Sequence, residues 1–158
     1  MRVLCLDPSG NYKEGEGTTG WALFEDGELV DFGRIKSESY SIQEHYWFRV
    51  RWLLNKYHPD LLVCESYRLF GHKANQQIGS AMETCQLIGY LRMACWKHGI
   101  KFVFQDPKDK IRVSDEQLVK MGVLEKRNGR YYCMGRQTVI HERDAIRHGI
   151  FYFRYGKG

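Results

Sequence analysis

The sequence lacks the features of a membrane-spanning or secreted protein. No apolar run approaches the roughly 18–20 residues that a membrane-spanning helix requires. Arg2 is followed at once by a predicted strand and a turn, so we expect no signal peptide. Repeats, linkers and low-complexity tracts are also missing. We therefore expect one domain, residues 1–158, that buries a sizeable hydrophobic core.

Cysteine patterns typical of zinc sites are absent as well. None of the five cysteines belongs to a C-x-x-C pair, which argues against a zinc site. Their number is odd and several lie in apolar runs. These features predict reduced, mostly buried thiols in a cytosol.

The charge balance is moderately basic. The chain has 24 Lys and Arg against 19 Asp and Glu, for a formal net charge of +5, and 14% of its residues are aromatic. Such a balance permits a nucleic acid as partner without requiring one.

The hydrophobic pattern predicts the element order βββαβαβα, with a short extra helix before the last one. The strands are expected at 2–7, in a hairpin over 18–35 that turns at Asp26-Gly27, at 60–66 and at 100–107. Residues 11–17 are predicted to form a polar loop. The first helix is expected to begin at a capping box of Ser41 and Glu44 and to end at Pro59. Further helices are expected at 74–99, with Gly99 as C-cap, from Ser114 to Gly122, and at 138–154. A basic turn or hairpin is expected at 125–132. This order predicts a mixed α/β sheet with helices packed on its faces.

Two acidic residues stand where predicted strands end. Asp7 ends the first strand, and Glu65 ends the strand that follows the first long helix. If these strands are parallel neighbours, the two carboxylates lie side by side at one edge of the sheet. A buried carboxylate is costly unless it is paired or bound to a cation.

The last predicted helix adds His141 and Asp144, which are three residues apart and point from one face. Ile140, Ala145 and Phe151 are expected on its core-facing side. Converging carboxylates repel one another in a low dielectric, and a divalent cation relieves this repulsion. Hard oxygen ligands suit Mg²⁺ or Mn²⁺. Two such ions, roughly 3.5–4 Å apart, would clamp the attacking and leaving oxygens of a phosphodiester.

Each of these residues also has a purely structural explanation. Asp7 would merely begin a turn, Glu65 would be a surface carboxylate, and His141 would be a capping or surface histidine. Asp144 would form an ion pair, worth under about 1 kcal/mol on a solvated helix face, with Arg143, Arg147 or His148. The occurrence of all four residues at these positions favours the metal site.

Four segments follow one another along the chain: LDPSG…TTGWALF, LLVCES, a long helix, and HERDAIRHGIFY. This ordered set resembles the RuvC-type Holliday-junction resolvases of the ribonuclease H-like superfamily. The resemblance implies a ribonuclease H-like mixed five-stranded sheet with helices on both faces. It implies catalytic and metal-binding roles for Asp7, Glu65, His141 and Asp144, with two Mg²⁺ or Mn²⁺ ions, and a cytoplasmic setting in a bacterial cell or a phage-infected host. The sequence departs from the family at Ser9-Gly10, which is reversed, in the longer loop 11–17, and over 113–136.

Basic residues in predicted loops and at element ends are expected to contact DNA phosphates. They are Arg68, Lys73, Lys108, Lys110, Arg112, Lys126, Arg127, Arg130 and Arg136, and the alternative for each is a solvated surface charge. Tyr67 and Phe70 follow Glu65 in a basic loop, where aromatic rings stack on unpaired bases for about 1–3 kcal/mol each. Alternatively, both rings pack under the long helix. The resemblance implies an aromatic side chain in this loop that inserts at the branch point.

These observations predict a metal-dependent endonuclease that makes paired nicks in branched DNA by in-line attack of metal-activated water. The alternatives are a ribonuclease H-like nuclease acting on flaps, hybrids or single strands, and a non-catalytic junction-binding protein. Two symmetric nicks require two active sites, which predicts a homodimer. The helix 74–99 would form its interface through Ile78, Met82, Cys85, Gly89 and Trp96, unless all of these face the core of a monomer.

Overall fold

A mixed five-stranded sheet forms the centre of the computed structural model, which describes residues 1–12, 17–67 and 82–156. Its strands are β1 (Arg2–Asp7), β2 (Thr18–Glu25), β3 (Glu28–Lys36), β4 (Leu61–Glu65) and β5 (Lys101–Gln105), in the order β3-β2-β1-β4-β5. The first three strands are antiparallel, and β1, β4 and β5 are parallel. The predicted fold class is confirmed.

Helices cover both faces of this sheet, because its central strands are apolar on both sides. Leu4, Leu6 and Leu62 pack on one face against α1 (Gln43–Tyr57) and α2 (Glu83–His98). Val3 and Cys5 point to the opposite face, which packs against α5 (Ile140–Tyr155). Between β5 and α5 lie two short helices, α3 (Pro107–Ile111) and α4 (Asp115–Lys120).

The predicted helix ends are partly wrong. α1 begins at Gln43 after Ile42, and no side chain caps it, so the capping box at Ser41 and Glu44 does not form. α2 is described from Glu83 and ends at Gly99 as predicted, whereas the part of the predicted helix before residue 82 lies outside the described residues. α3 was not predicted, and its start at Pro107 shortens β5 to Gln105.

A second, three-stranded sheet precedes α5. It consists of β6 (Glu125–Arg127), β7 (Arg130–Cys133) and β8 (Arg136–Gln137). The hairpin predicted over 125–132 is confirmed, and Asn128 and Gly129 both take positive φ at its turn. Cys133 buries its side chain in the same core as α5, so this small sheet is packed onto the main one.

Two glycines let α5 approach the main sheet. A Cβ at Gly20 of β2 would lie 2.0 Å from the carbonyl oxygen of His141, and one at Gly149 would lie 2.0 Å from Phe24. Ala145 and Phe151 face the core as predicted. Ile140 is 47% exposed, so its predicted place on the core side is wrong, because Ile140 and Ala145 are five residues apart and do not lie on the same face of the helix. Among the described helices, none is long and apolar enough to cross a membrane.

Candidate active site

Asp7 and Glu65 lie side by side at one edge of the sheet, as the sequence predicts. Leu6 of β1 is paired with Cys64 of β4, so the next residue on each strand is an acid. Glu65 is in turn paired with Gln105, the last residue of β5. Because side chains alternate along a strand, Asp7 shares its face with Val3 and Cys5, the face covered by α5.

α5 presents polar side chains to this edge from consecutive turns. His141, Asp144 and His148 are spaced by three and four residues, so they lie on one face of the helix. Asp144 is 7% exposed and His148 is 0% exposed. The explanation of Asp144 as a residue of a solvated helix face is therefore wrong, although it does form an ion pair with Arg147, Nη1 to Oδ1 2.7 Å.

Asp7 and His141 form the first half of the site. His141 Nδ1 lies 3.1 Å from Asp7 Oδ2. Burial raises the pKa of Asp7, and the nearby charges of Glu65 and Asp144 add to this, although the hydrogen bond with His141 opposes it. The same hydrogen bond raises the pKa of His141.

Lys110 connects the other two carboxylates. Its Nζ lies 3.0 Å from Glu65 Oε2 and 3.2 Å from Asp144 Oδ2. Burial would lower the pKa of Lys110, but the charges of Asp7, Glu65 and Asp144 outweigh burial and raise it. One ammonium group therefore balances part of a cluster of three carboxylates.

The pKa of Glu65 shifts in the opposite direction from that of Asp7. Burial alone would raise it, but a hydrogen bond from His148 and the charge of Lys110 lower it below its ordinary value. His148 Nε2 lies 2.8 Å from Glu65 Oε2. The pKa values of two carboxylates at adjacent strand ends thus shift in opposite directions.

The turn after Asp7 is held by the neighbouring elements. Thr19 Oγ1 lies 3.2 Å from the Ser9 amide nitrogen, which donates to it, and the Tyr46 hydroxyl donates to the Ser9 carbonyl at 2.6 Å. Trp47 Nε1 donates to the Gly10 carbonyl at 3.1 Å. These bonds tie the end of β1 to β2 and α1, so Asp7 stands on a rigid support.

The expected DNA-contact residues fall into three groups. Arg68, Phe70 and Lys73 lie outside the described residues, and Tyr67 is partly buried at the end of the described segment. Lys110 lies among the carboxylates, where its ammonium is already engaged. The remaining cations are exposed: Lys108, Arg112, Lys126, Arg127, Arg130 and Arg136.

The sequence pattern does not predict Lys110, His148 or Gln105 as members of the site. Lys110 was grouped with the phosphate contacts because α3, the helix that carries it, was not predicted. His148 is seven residues after His141, and this spacing was the available signal that it shares the same helix face. For Gln105 the only signal was its position at the end of a parallel strand.

Comparison with known proteins places this geometry on a known fold. No protein-family model matches the chain, and no curated protein does. A structure of T. thermophilus RuvC in complex with a Holliday junction substrate matches 99% of this chain and 96% of its own, with 16% sequence identity and a TM-score of 0.65. The chain has the fold of RuvC. A second T. thermophilus RuvC structure matches with 15% identity over 99% of this chain and 97% of its own, also at a TM-score of 0.65.

A Fowlpox virus resolvase in complex with Holliday junction DNA also matches, at 14% identity over 76% of this chain and 77% of its own, with a TM-score of 0.46. The RuvC likeness covers nearly the whole chain and agrees with the mixed five-stranded sheet and its closing helix. At this level of identity, it concerns the fold alone.

Proposed function

We propose that the protein is a metal-dependent endonuclease that resolves four-way DNA junctions. The observation that carries this proposal is the meeting of Asp7, Glu65 and Asp144 at the ends of β1 and β4 and on α5, with His141 beside them. A RuvC structure of the same fold, solved with a Holliday junction, supports the choice of substrate. A protein that only bound DNA would have no use for converging carboxylates, which repel phosphate.

The donor set fits a hard divalent cation by its chemistry and charge. Carboxylate oxygens with one imidazole are ligands that Mg²⁺ and Mn²⁺ accept. Within the described residues, no three Asp, Glu, His or Cys side chains are grouped to hold a metal ion as they stand. Lys110 lies between Glu65 and Asp144, where it already supplies one positive charge. Lys110 would have to leave Glu65 and Asp144 for these carboxylates to hold a cation.

Asp7, Glu65, Asp144 and His141 would hold Mg²⁺ or Mn²⁺. The chemistry supplied by such ions, when bound, is polarisation of the phosphodiester and activation of a water nucleophile. The rigid strand ends would fix the carboxylates relative to the DNA backbone. Lys110, once released by the carboxylates, would be free to bind a phosphate oxygen.

The small sheet β6–β8 would provide a phosphate-binding surface. Lys126, Arg127 and Arg130 are exposed on β6 and β7, and Glu125 pairs with Arg127 at 3.0 Å. Thr138 donates from its amide to the Tyr131 carbonyl at 2.8 Å, which ties this sheet to the start of α5. The basic surface is therefore joined to the helix that carries His141.

Cleavage of labelled branched DNA tests the proposal. We expect a four-way junction to be cut at paired sites in Mg²⁺ or Mn²⁺, and to stay intact in EDTA. Flap, linear duplex, single-stranded and RNA·DNA hybrid substrates are the controls. Preferred cutting of one of these would favour a ribonuclease H-like nuclease of different specificity. Junction binding without cutting in either metal would favour a non-catalytic binder.

We further propose a homodimer that pairs α2 with α2 of a second copy. Met93 and Trp96 of α2 are 62% and 78% exposed, and a Cβ at Gly89 would meet no atom of the described residues within 4 Å. The alternative that the predicted interface residues all face the core is therefore wrong for Cys85, Gly89 and Trp96, which are exposed, whereas Ile78 lies outside the described residues. A small residue beside large apolar side chains suits close helix packing across a two-fold axis.

Sedimentation equilibrium at micromolar concentration, with and without junction DNA, tests the dimer. We expect Trp96→Glu to give a monomer that binds a junction but no longer makes paired nicks. Val30→Glu, at a 41% exposed apolar position on β3, is the matched control and should stay dimeric. A wild-type monomer in both conditions would contradict the dimer and weaken the assignment as a resolvase.

A further inference from the structure

We propose that His148 and Gln105 form a positioning pair that fixes the orientation of the Glu65 carboxylate for metal binding. This inference rests on the proposed metal-dependent function. It concerns two residues that do not themselves belong to the set of Asp7, Glu65, His141 and Asp144.

The pair is built from three elements that meet at the edge of the sheet. Glu65 and Gln105 are paired residues on the parallel strands β4 and β5, so their side chains point to the same face. His148 comes from α5 and lies between them, with Nε2 2.8 Å from Glu65 Oε2 and Nδ1 2.6 Å from Gln105 Oε1. The imidazole thus bridges two strand ends.

The direction of the hydrogen bond to Glu65 follows from its chemistry. An ionised carboxylate only accepts hydrogen bonds, so His148 Nε2 must carry a proton and donate it. A neutral imidazole then has an acceptor at Nδ1, which the amide nitrogen of Gln105 satisfies when the amide is turned about its long axis. With the amide oxygen toward Nδ1, the ring carries protons on both nitrogens. Nε2 donates to Glu65 in both cases.

Burial argues that this arrangement has a role beyond packing. His148 is 0% exposed and Gln105 is 6% exposed, and the neighbouring interior of the same face is apolar. An apolar side chain would fill this place without the cost of burying polar groups. Buried polar groups that hydrogen-bond a metal-binding carboxylate keep its oxygens oriented, and losing them costs about 10- to 100-fold in metal affinity or activity.

Asp144 has a support of the same kind. Arg147 donates from Nη1 to Asp144 Oδ1 at 2.7 Å and is itself held by an ion pair with Asp115 at the start of α4. Two of the three carboxylates thus have an outer residue that is anchored by a further side chain. This repetition supports a positioning role for His148.

Paired substitutions of His148 separate positioning from packing. In His148→Gln the amide nitrogen replaces Nε2, and in His148→Asn it replaces Nδ1, so only the first variant keeps a donor for Glu65. Ile146→Ala is the matched control. Ile146 is buried on the same helix and has no polar side-chain group that could hold a carboxylate. Gln105→Leu removes the anchor while leaving His148 in place.

The readouts are Mn²⁺ affinity by calorimetry on DNA-free protein, junction affinity in EDTA, and cleavage rate across a Mn²⁺ titration. We expect His148→Asn to weaken Mn²⁺ binding by about 10- to 100-fold and to leave junction affinity in EDTA unchanged. His148→Gln should retain more Mn²⁺ affinity than His148→Asn. Gln105→Leu should also lose less Mn²⁺ affinity than His148→Asn. Ile146→Ala should lower the melting temperature without changing Mn²⁺ affinity.

Equal Mn²⁺ affinity in wild type and His148→Asn would overturn the inference. The inference would also be overturned if, across all four variants, the loss of Mn²⁺ affinity followed the fall in melting temperature. If His148→Asn does not fold, Gln105→Leu becomes the deciding variant. Unchanged Mn²⁺ affinity in Gln105→Leu would then contradict the positioning role of His148 and Gln105. Wild-type protein that neither binds Mn²⁺ nor cuts DNA would instead refute the proposed function itself.

Discussion

Asp7 and Glu65 end neighbouring strands at the same edge of the sheet, yet their pKa values shift in opposite directions. The partner of Asp7 is the partly exposed His141, and burial raises the pKa of Asp7. Glu65 is bound by a buried histidine and by Lys110, and its pKa is lowered. Position in the sheet therefore does not by itself determine the direction in which the pKa of an acid shifts. The partners contributed by α3 and α5 determine it.

This difference suggests separate tasks for the two acids. Hydrogen bonds from His148 and Lys110 favour the ionised form of Glu65 and orient its carboxylate. Burial disfavours the anionic form of Asp7, which a bound cation would favour. The two residues would then form a fixed ligand and a responsive ligand of one metal centre.

The largest expected effect is the loss of cleavage in Asp7→Asn and in Glu65→Gln. If each carboxylate contributes about 4 kcal/mol through the metal, its removal lowers the cleavage rate by about 1,000-fold. Junction affinity in EDTA should be retained or slightly increased, because negative charge near phosphates is removed. Rates are measured on a labelled junction at saturating Mn²⁺, and full activity in either variant would contradict the site.

A smaller effect should separate His141 from Asp144. We expect His141→Ala to lower cleavage less than Asp144→Ala, and excess Mn²⁺ to recover part of the His141→Ala loss, because a neutral imidazole contributes less to binding a hard cation than a carboxylate does. A Mn²⁺ titration of both variants is the measurement. The reverse ranking would mean that α5 presents a different face to the metal.

The stability of the metal-free protein should change in opposite directions at the two acids. Glu65→Gln leaves His148 without its anionic partner and Lys110 with Asp144 alone, which costs roughly 1–3 kcal/mol of the free energy of unfolding. Asp7→Asn removes a charge that burial disfavours, so we expect it to be neutral or stabilising. Denaturant unfolding in EDTA at neutral pH measures both. An equal loss of stability in Asp7→Asn and Glu65→Gln would contradict the difference between the two acids.

The smallest expected effect is a pH dependence of the Asp7–His141 pair. The pKa of His141 is raised above its ordinary value of 6.5, so its stabilising contribution is full below that value and is lost as pH rises through the folded pKa. The melting temperature in EDTA should therefore fall slightly between about pH 6 and pH 8. Calorimetry of wild type and Asp7→Asn checks this, and an equal slope in both would rule out the pair as its source.

Strand ends and helix spacing were readable from the sequence because both depend on local patterns. The acids at Asp7 and Glu65 follow short apolar runs, and His141 and Asp144 share a helix face by their spacing alone. Helix starts were less predictable, since α1 begins without a side-chain cap and α3 depends on a single Asp-Pro step. That unpredicted helix is the one that brings Lys110 to the acids.

By itself, the sequence determined the element order, the alternation that buries both faces of the sheet, and the placement of acids at the ends of its parallel strands. Only the tertiary structure decided which partners those acids receive. His148 is separated from Glu65 by 83 residues and from Gln105 by 43, and Lys110 is separated from Asp144 by 34. Local periodicity contains no information on such contacts, because they depend on how closely α5 approaches the sheet over Gly20 and Gly149 and on where α3 begins.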